Sequence, residues 1–112
     1  ASGVTIGVND FLSSPYLANV ITDTHYDNTD RRGRQTTFLA RMLKDLESGL
    51  NAKGIGVFEK TAVCIDQNGL ARVFAPTTAS FAYFYQIESN STPETVVSGT
   101  PLIMPEKGLR LL

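Results

Sequence analysis

Leu17-Ala18-Asn19-Val20-Ile21-Thr22 runs into Asp23-Thr24-His25-Tyr26-Asp27-Asn28-Thr29-Asp30, and that polar loop opens onto Arg31-Arg32-Gly33-Arg34. The first run is short, β-branched and bounded by Pro15 and the loop, which predicts a buried strand over 17–22. Beyond the loop, Phe38, Leu39, Met42, Leu43 and Leu46 recur at three- and four-residue spacing and Gly49 supplies a stop. That spacing predicts a helix over about 30–48, with Thr29 or Asp30 as its N-cap. A buried strand passing through a polar loop into a helix is one unit of an α/β sheet.

The loop also carries the chemistry. The only histidine of the chain, His25, stands beside Asp23 and a cluster of arginines where strand becomes helix. An imidazole moves protons near neutral pH and a guanidinium grips a carboxylate with fixed geometry, so the segment offers proton transfer and anion recognition together. Positions 31, 34, 38 and 42 lie near one helical stripe, so Arg31 and Arg34 extend the apolar face toward the helix start. Cations there oppose the macrodipole by about 0.3–1 kcal/mol when exposed, and a partly buried arginine needs an anionic partner. A ligand carboxylate would serve. The alternative is that Arg32 and Arg34 pair with Asp27 and Asp30 on a solvated surface. Gly33, in the first turn, costs about 1 kcal/mol relative to alanine, tolerable where something approaches the backbone.

Working outward, the first sixteen residues have no clear period and read as an irregular lead-in. After Gly49 the pattern turns to strands, at 53–58, 61–65, 70–74 and 80–87, with a final short one at 108–112. Gln67-Asn68-Gly69 is a tight-hairpin signal between the second and third of these. The aromatics of 80–87 are expected to pack into a core, with a ligand platform as the alternative. Residues 89–101 read as a polar loop. The whole is a strand and a helix followed by a mainly antiparallel strand set, either one domain over 1–112 or the C-terminal part of a larger α/β domain completed by another chain or segment.

With 42% hydrophobic and 19% charged residues and a formal net charge of -1, the composition is that of an ordinary globular chain. It provides no long-range field for nucleic acid or anionic lipid, and no apolar run approaches the roughly 20 residues that span a bilayer. Neither nucleic acid nor membrane is expected as a partner. Cys64, flanked by Val63 and Ile65, is expected as a small core residue. Asn90-Ser91-Thr92 fits a glycosylation acceptor and leans toward secretion, but Pro93 follows at once and the compartment stays open. One histidine and one cysteine cannot supply the ligands of a metal centre, and Gly54-x-Gly56 lacks the glycine and helix of a phosphate cradle, so no cofactor is expected.

A general base needs a nucleophile within reach and a carboxylate on its other nitrogen. Glu59, at the exit of the strand over 53–58, is the candidate carboxylate, its plainer alternative being a surface residue paired with Lys60. The nucleophile is missing: there is no Gly-x-Ser-x-Gly elbow, and the serines fall in loops.

Asp23-Thr24-His25-Tyr26, followed by Arg31, Gly33 and Arg34, resembles the cyanophycinase pattern Asp-Gln-His-Phe with arginines at the fourth, sixth and ninth positions after the histidine. Gly54-Ile55-Gly56-Val57-Phe58-Glu59-Lys60-Thr61-Ala62 resembles that family's Gly-x-Gly-Ile-Asp-Glu-x-Thr-Ala. The resemblance covers residues 11–112. It departs at Thr24, in place of the glutamine, at Thr29, in place of the first arginine, and at Phe58 and Lys60 beside the glutamate, all of which remove or change polar pocket groups.

Cyanophycinases and the related aspartyl dipeptidases are serine hydrolases on a glutamine-amidotransferase-like, flavodoxin-like α/β fold. The resemblance implies that His25 is the general base, that Glu59 orients it, and that Asp23, Arg31 and Arg34 line a pocket for a β-aspartyl or other Asp-containing peptide. It also implies that the serine lies upstream of Ala1 or on a companion N-terminal chain, with the assembled unit expected to dimerise. The alternative function is a non-catalytic module that keeps the fold and holds acidic peptides.

Overall fold

The structure, a computed structural model, describes residues 4–5, 13–45, 52–87 and 109–111, the last as backbone. Among these, a 3-10 turn at Pro15–Leu17 leads into β1 (Val20–Asp23), α1 (Asp30–Asp45), β2 (Lys53–Val57), β3 (Ala62–Ile65), β4 (Ala71–Phe74), β5 (Ala82–Ile87) and β6 (Leu109–Leu111). The fold is mixed α/β, with one sheet in the order β1-β2-β5-β6 and a separate β3-β4 hairpin. β1 and β2 are parallel, with Asp23 opposite Gly56, while β5 runs antiparallel to β2 and β6 to β5. A parallel pair requires a crossover, and α1 supplies it by packing on both strands.

The helix is placed by its apolar stripe. Leu39 is fully buried against Met42, Ala52 and Ile87, with Ile21 and Leu43 packed around them. Removing a leucine side chain from water contributes about 1.5–3 kcal/mol. Two glycines let this layer close. A β-carbon on Gly54 would lie 3.0 Å from the Gln35 amide and 3.3 Å from Leu39, and one on Gly56 would lie 2.6 Å from the ring of Tyr26. Gly54 and Gly56 are therefore seats for side chains arriving from the helix and the loop.

Several expectations need correction. The strand over 17–22 starts late, because Pro15 opens a 3-10 turn and Asn19 takes a left-handed φ of 58° that interrupts extension; the strand then continues one residue further, to Asp23. The helix starts at Asp30 as expected, its N–H meeting Asn28 Oδ1 at 3.3 Å; Leu46 and Gly49 lie outside the described residues. Cys64 is exposed, because β3 alternates and turns Val63 and Ile65 inward instead. The hairpin forms where expected. The Gly69 N–H bonds the Asp66 carbonyl at 3.0 Å with φ +78° at Gly69, while Asp66 Oδ1 accepts from Asn68 and Leu70. This is a type I turn closed by a left-handed glycine. Asn90 and the loop over 89–101 lie outside the described residues.

Candidate functional site

His25 and Glu59 each lie two residues beyond the C-terminal end of a parallel strand, β1 and β2 respectively, and the strands are neighbours. The two loops are joined. The Tyr26 N–H donates to the Val57 carbonyl at 2.9 Å, extending the ladder, and the Glu59 N–H donates to Asp27 Oδ1 at 3.1 Å. His25 itself takes a left-handed φ of 54°, and its carbonyl accepts the Asn28 N–H at 3.0 Å. A non-glycine residue in that region is uncommon, and histidine is among those that tolerate it best. Both His25 and Glu59 are exposed, and neither side chain has a hydrogen bond or ion pair among the described residues. The chain brings their backbones to one rim without closing an imidazole–carboxylate pair.

Tyr26 fixes the loop from beneath. Its ring lies over Gly56 and is buried, with Tyr83 and Tyr85 at 5.8 and 6.0 Å between centroids. Burial, with the Tyr85 hydroxyl beside it, pushes the Tyr26 phenol well above the usual tyrosine range.

Asp23 and Arg34 are brought together with each other. The Arg34 guanidinium makes a two-pronged ion pair with the Asp23 carboxylate, Nε donating to Oδ2 at 3.0 Å and Nη2 to Oδ1, while the Thr24 N–H also donates to Oδ1 at 2.9 Å. Asp23 is only 8% exposed, so the pair neutralises a charge that burial would otherwise penalise. The anionic partner that Arg34 needs comes from β1, and the surface pairing with Asp27 or Asp30 does not form. Arg31 is half-buried. Gly33 faces open space, with nothing within 4 Å of where a β-carbon would sit.

The aromatics of β5 form a partly open shelf instead of a closed core. Phe81, Tyr83 and Tyr85 alternate along the helix-side face, with Tyr83 and Tyr85 stacked at 6.2 Å and 10°, and Phe58 meets Phe81 edge-on at 5.7 Å. Phe81 remains 49% exposed. Arg32 lies over the Tyr83 ring, 4.9 Å from its centroid, with Nη2 3.4 Å from the hydroxyl. Sequence reasoning missed this contact and the Asp27–Glu59 tie, since nothing local marks a residue as the partner of another so far along the chain.

On the other face of the sheet, Leu17, Thr24, Ile55, Val57, Val63 and Ile65 help line a cavity of about 350 Å³ between the strands and the hairpin. Neither His25 nor Glu59 opens into it. Among the described residues no group of three or more His, Cys, Asp and Glu side chains is placed to hold a metal ion. No family model, curated protein or solved structure matches the chain.

Proposed function

We propose that this chain is the base-bearing part of a cyanophycinase-like serine hydrolase on a glutamine-amidotransferase-like, flavodoxin-like fold, with the nucleophilic serine supplied by an upstream segment or a companion chain. One observation carries the reading. The loops bearing His25 and Glu59 leave adjacent parallel strands at their C-terminal ends and are tied by the Tyr26–Val57 and Glu59–Asp27 hydrogen bonds, at the rim where open α/β sheets place their ligands.

In this mechanism His25 takes the serine proton as the hydroxyl oxygen attacks the carbonyl carbon of a β-aspartyl amide. It then gives that proton to the leaving amine as the carbon–nitrogen bond breaks. Water, deprotonated by the same imidazole, hydrolyses the ester, and the proton returns to the serine. Glu59 orients the ring once its carboxylate meets the second nitrogen, a contact that forms on assembly, since catalytic hydrogen bonds tighten from looser unliganded geometry.

The test is turnover of a β-aspartyl dipeptide by the protein assembled with its serine-bearing partner. His25→Ala is expected to lower kcat by about a thousandfold or more with only a small fall in melting temperature, because the side chain is exposed and alanine loses only some tolerance of the left-handed φ. Retained turnover would reject the reading. A second reading, a non-catalytic module for acidic peptides, is favoured by the placement of Arg32 on Tyr83 beside exposed Phe81. It predicts binding of the same dipeptide with no turnover at all.

A further inference from the structure

We infer that Arg32, held on Tyr83, is the arginine that receives the anionic group of the ligand at this rim, and that Phe81 and Phe58 select a flat apolar group adjoining that anion. The inference rests on the reading of the rim as an aspartyl-peptide site. It goes beyond the resemblance, whose arginine positions fall on Arg31 and Arg34 and leave Arg32 unassigned.

Arg34 cannot serve as a vacant anion receptor. Both prongs of its guanidinium are engaged by Asp23, and drawing it toward a ligand would leave an 8% exposed carboxylate unpaired. Arg32 differs in each respect. It is exposed and has no carboxylate partner among the described residues, its guanidinium resting there on Tyr83, through the ring face and the hydroxyl. A guanidinium laid on a ring is oriented without being neutralised, since the cation–π contact uses its face and leaves in-plane N–H donors for a carboxylate. That pre-orientation lowers the ordering cost a long, exposed side chain would otherwise add to binding.

The neighbouring rings set the second preference. Tyr83, on which Arg32 rests, stacks on Tyr85 and meets both Phe81, at 6.4 Å, and Phe58, at 5.9 Å between centroids; Phe81 is exposed and Phe58 immediately precedes Glu59. A ligand anchored by a carboxylate on Arg32 therefore has an aromatic surface beside it on the way to the proposed catalytic loops. A planar side chain there gains offset or edge contacts that a hydrogen atom does not. The predicted ligand class is an aspartyl peptide whose second residue is aromatic.

The experiment is calorimetric titration of the assembled protein carrying His25→Ala, so that nothing turns over, with three probes: β-aspartyl-phenylalanine, its α-carboxamide analogue and β-aspartyl-glycine. The first is expected to bind at least about tenfold more tightly than either of the others, the scale of one charge-assisted hydrogen bond or one ring contact. Adding Arg32→Gln should abolish the preference for carboxylate over carboxamide and keep the preference for phenylalanine over glycine. Adding Phe81→Ala should do the reverse. Retention of the carboxylate preference by the Arg32→Gln protein, or equal binding of all three probes, or no binding of any, would overturn the inference. Hydrolysis by the unsubstituted protein is scored separately. Binding with these preferences but no turnover rejects the hydrolase reading alone, and turnover indifferent to Arg32→Gln rejects the arginine assignment alone.

Discussion

On the helix side of the sheet Leu39 and Ile87 are sealed and even the β-carbons of Gly54 and Gly56 are excluded, whereas on the other side Ile55 and Val57 stand half-buried beside a cavity of about 350 Å³, flanked by a hairpin whose outer strand is exposed at every position. Between α1 and the β1–β2 pair the packing is tight enough to exclude a methyl group, whereas the other face holds its apolar residues beside a cavity. The candidate rim borders both faces: Tyr26 seats its loop on Gly56 on the packed side, while Asp23 and Thr24 also line the cavity on the other. The difference teaches where close packing is concentrated, in the β1–α1–β2 unit, with the β3-β4 hairpin as the more exposed region.

The contrast can be broken most directly by truncation. Leu39→Ala is expected to cost about 2–5 kcal/mol, since it opens a cavity in a sealed layer, while Phe74→Ala on the exposed hairpin should stay within about 0.5 kcal/mol. Chemical denaturation of both variants checks this, and similar losses would mean that the two layers are equally tight. Overpacking sharpens it next. Gly56→Ala drives a methyl group to 2.6 Å from the Tyr26 ring and should cost about 1–3 kcal/mol, whereas Gly33→Ala, facing open space, should gain about 1 kcal/mol of helix propensity. Melting temperatures moving in the same direction would contradict the seat assigned to Tyr26.

The smallest effect is a pH slope. The phenol of Tyr26 is raised in the folded state by burial first and by Tyr85 second, so the native chain keeps a proton that the unfolded chain releases near the ordinary tyrosine value of about 10. This contribution is fully present below about pH 10 and is lost as pH climbs past it toward the raised native value. Melting temperatures of the wild type and Tyr26→Phe between neutral and strongly alkaline pH should diverge only in that window, with the phenylalanine variant falling less steeply. Parallel curves would show that the ring is wetter than its burial indicates.

Much of the central unit could be read from the chain, because its signals are local. The β-branched run before Asp23, the three- and four-residue spacing through Leu39 and Leu43, and the glycine-bearing strand after it each reflect one element's own period. What escaped was set by pairing across distance. Asp23 meets Arg34 only because a strand end and a helix face are brought together, and Arg32 meets Tyr83 across a separation of 51 residues. Cys64 departs from its expected burial for a related reason: apolar neighbours on both sides suggest burial, yet in a strand alternate residues face opposite ways, and the hairpin has only one covered face. The positions of His25 and Glu59 at the ends of their strands were legible, whereas the hydrogen bonds that tie their loops together depend on the register of β1 with β2.

The exposed thiol of Cys64 has a practical consequence. As the sole cysteine in the chain, it offers one address for a maleimide-linked dye or spin label, placed on the exposed side of the hairpin strand β3. A reporter there can register a companion chain covering the hairpin. The same thiol lets two chains couple covalently in air, so mass measurements need a reducing agent in the buffer.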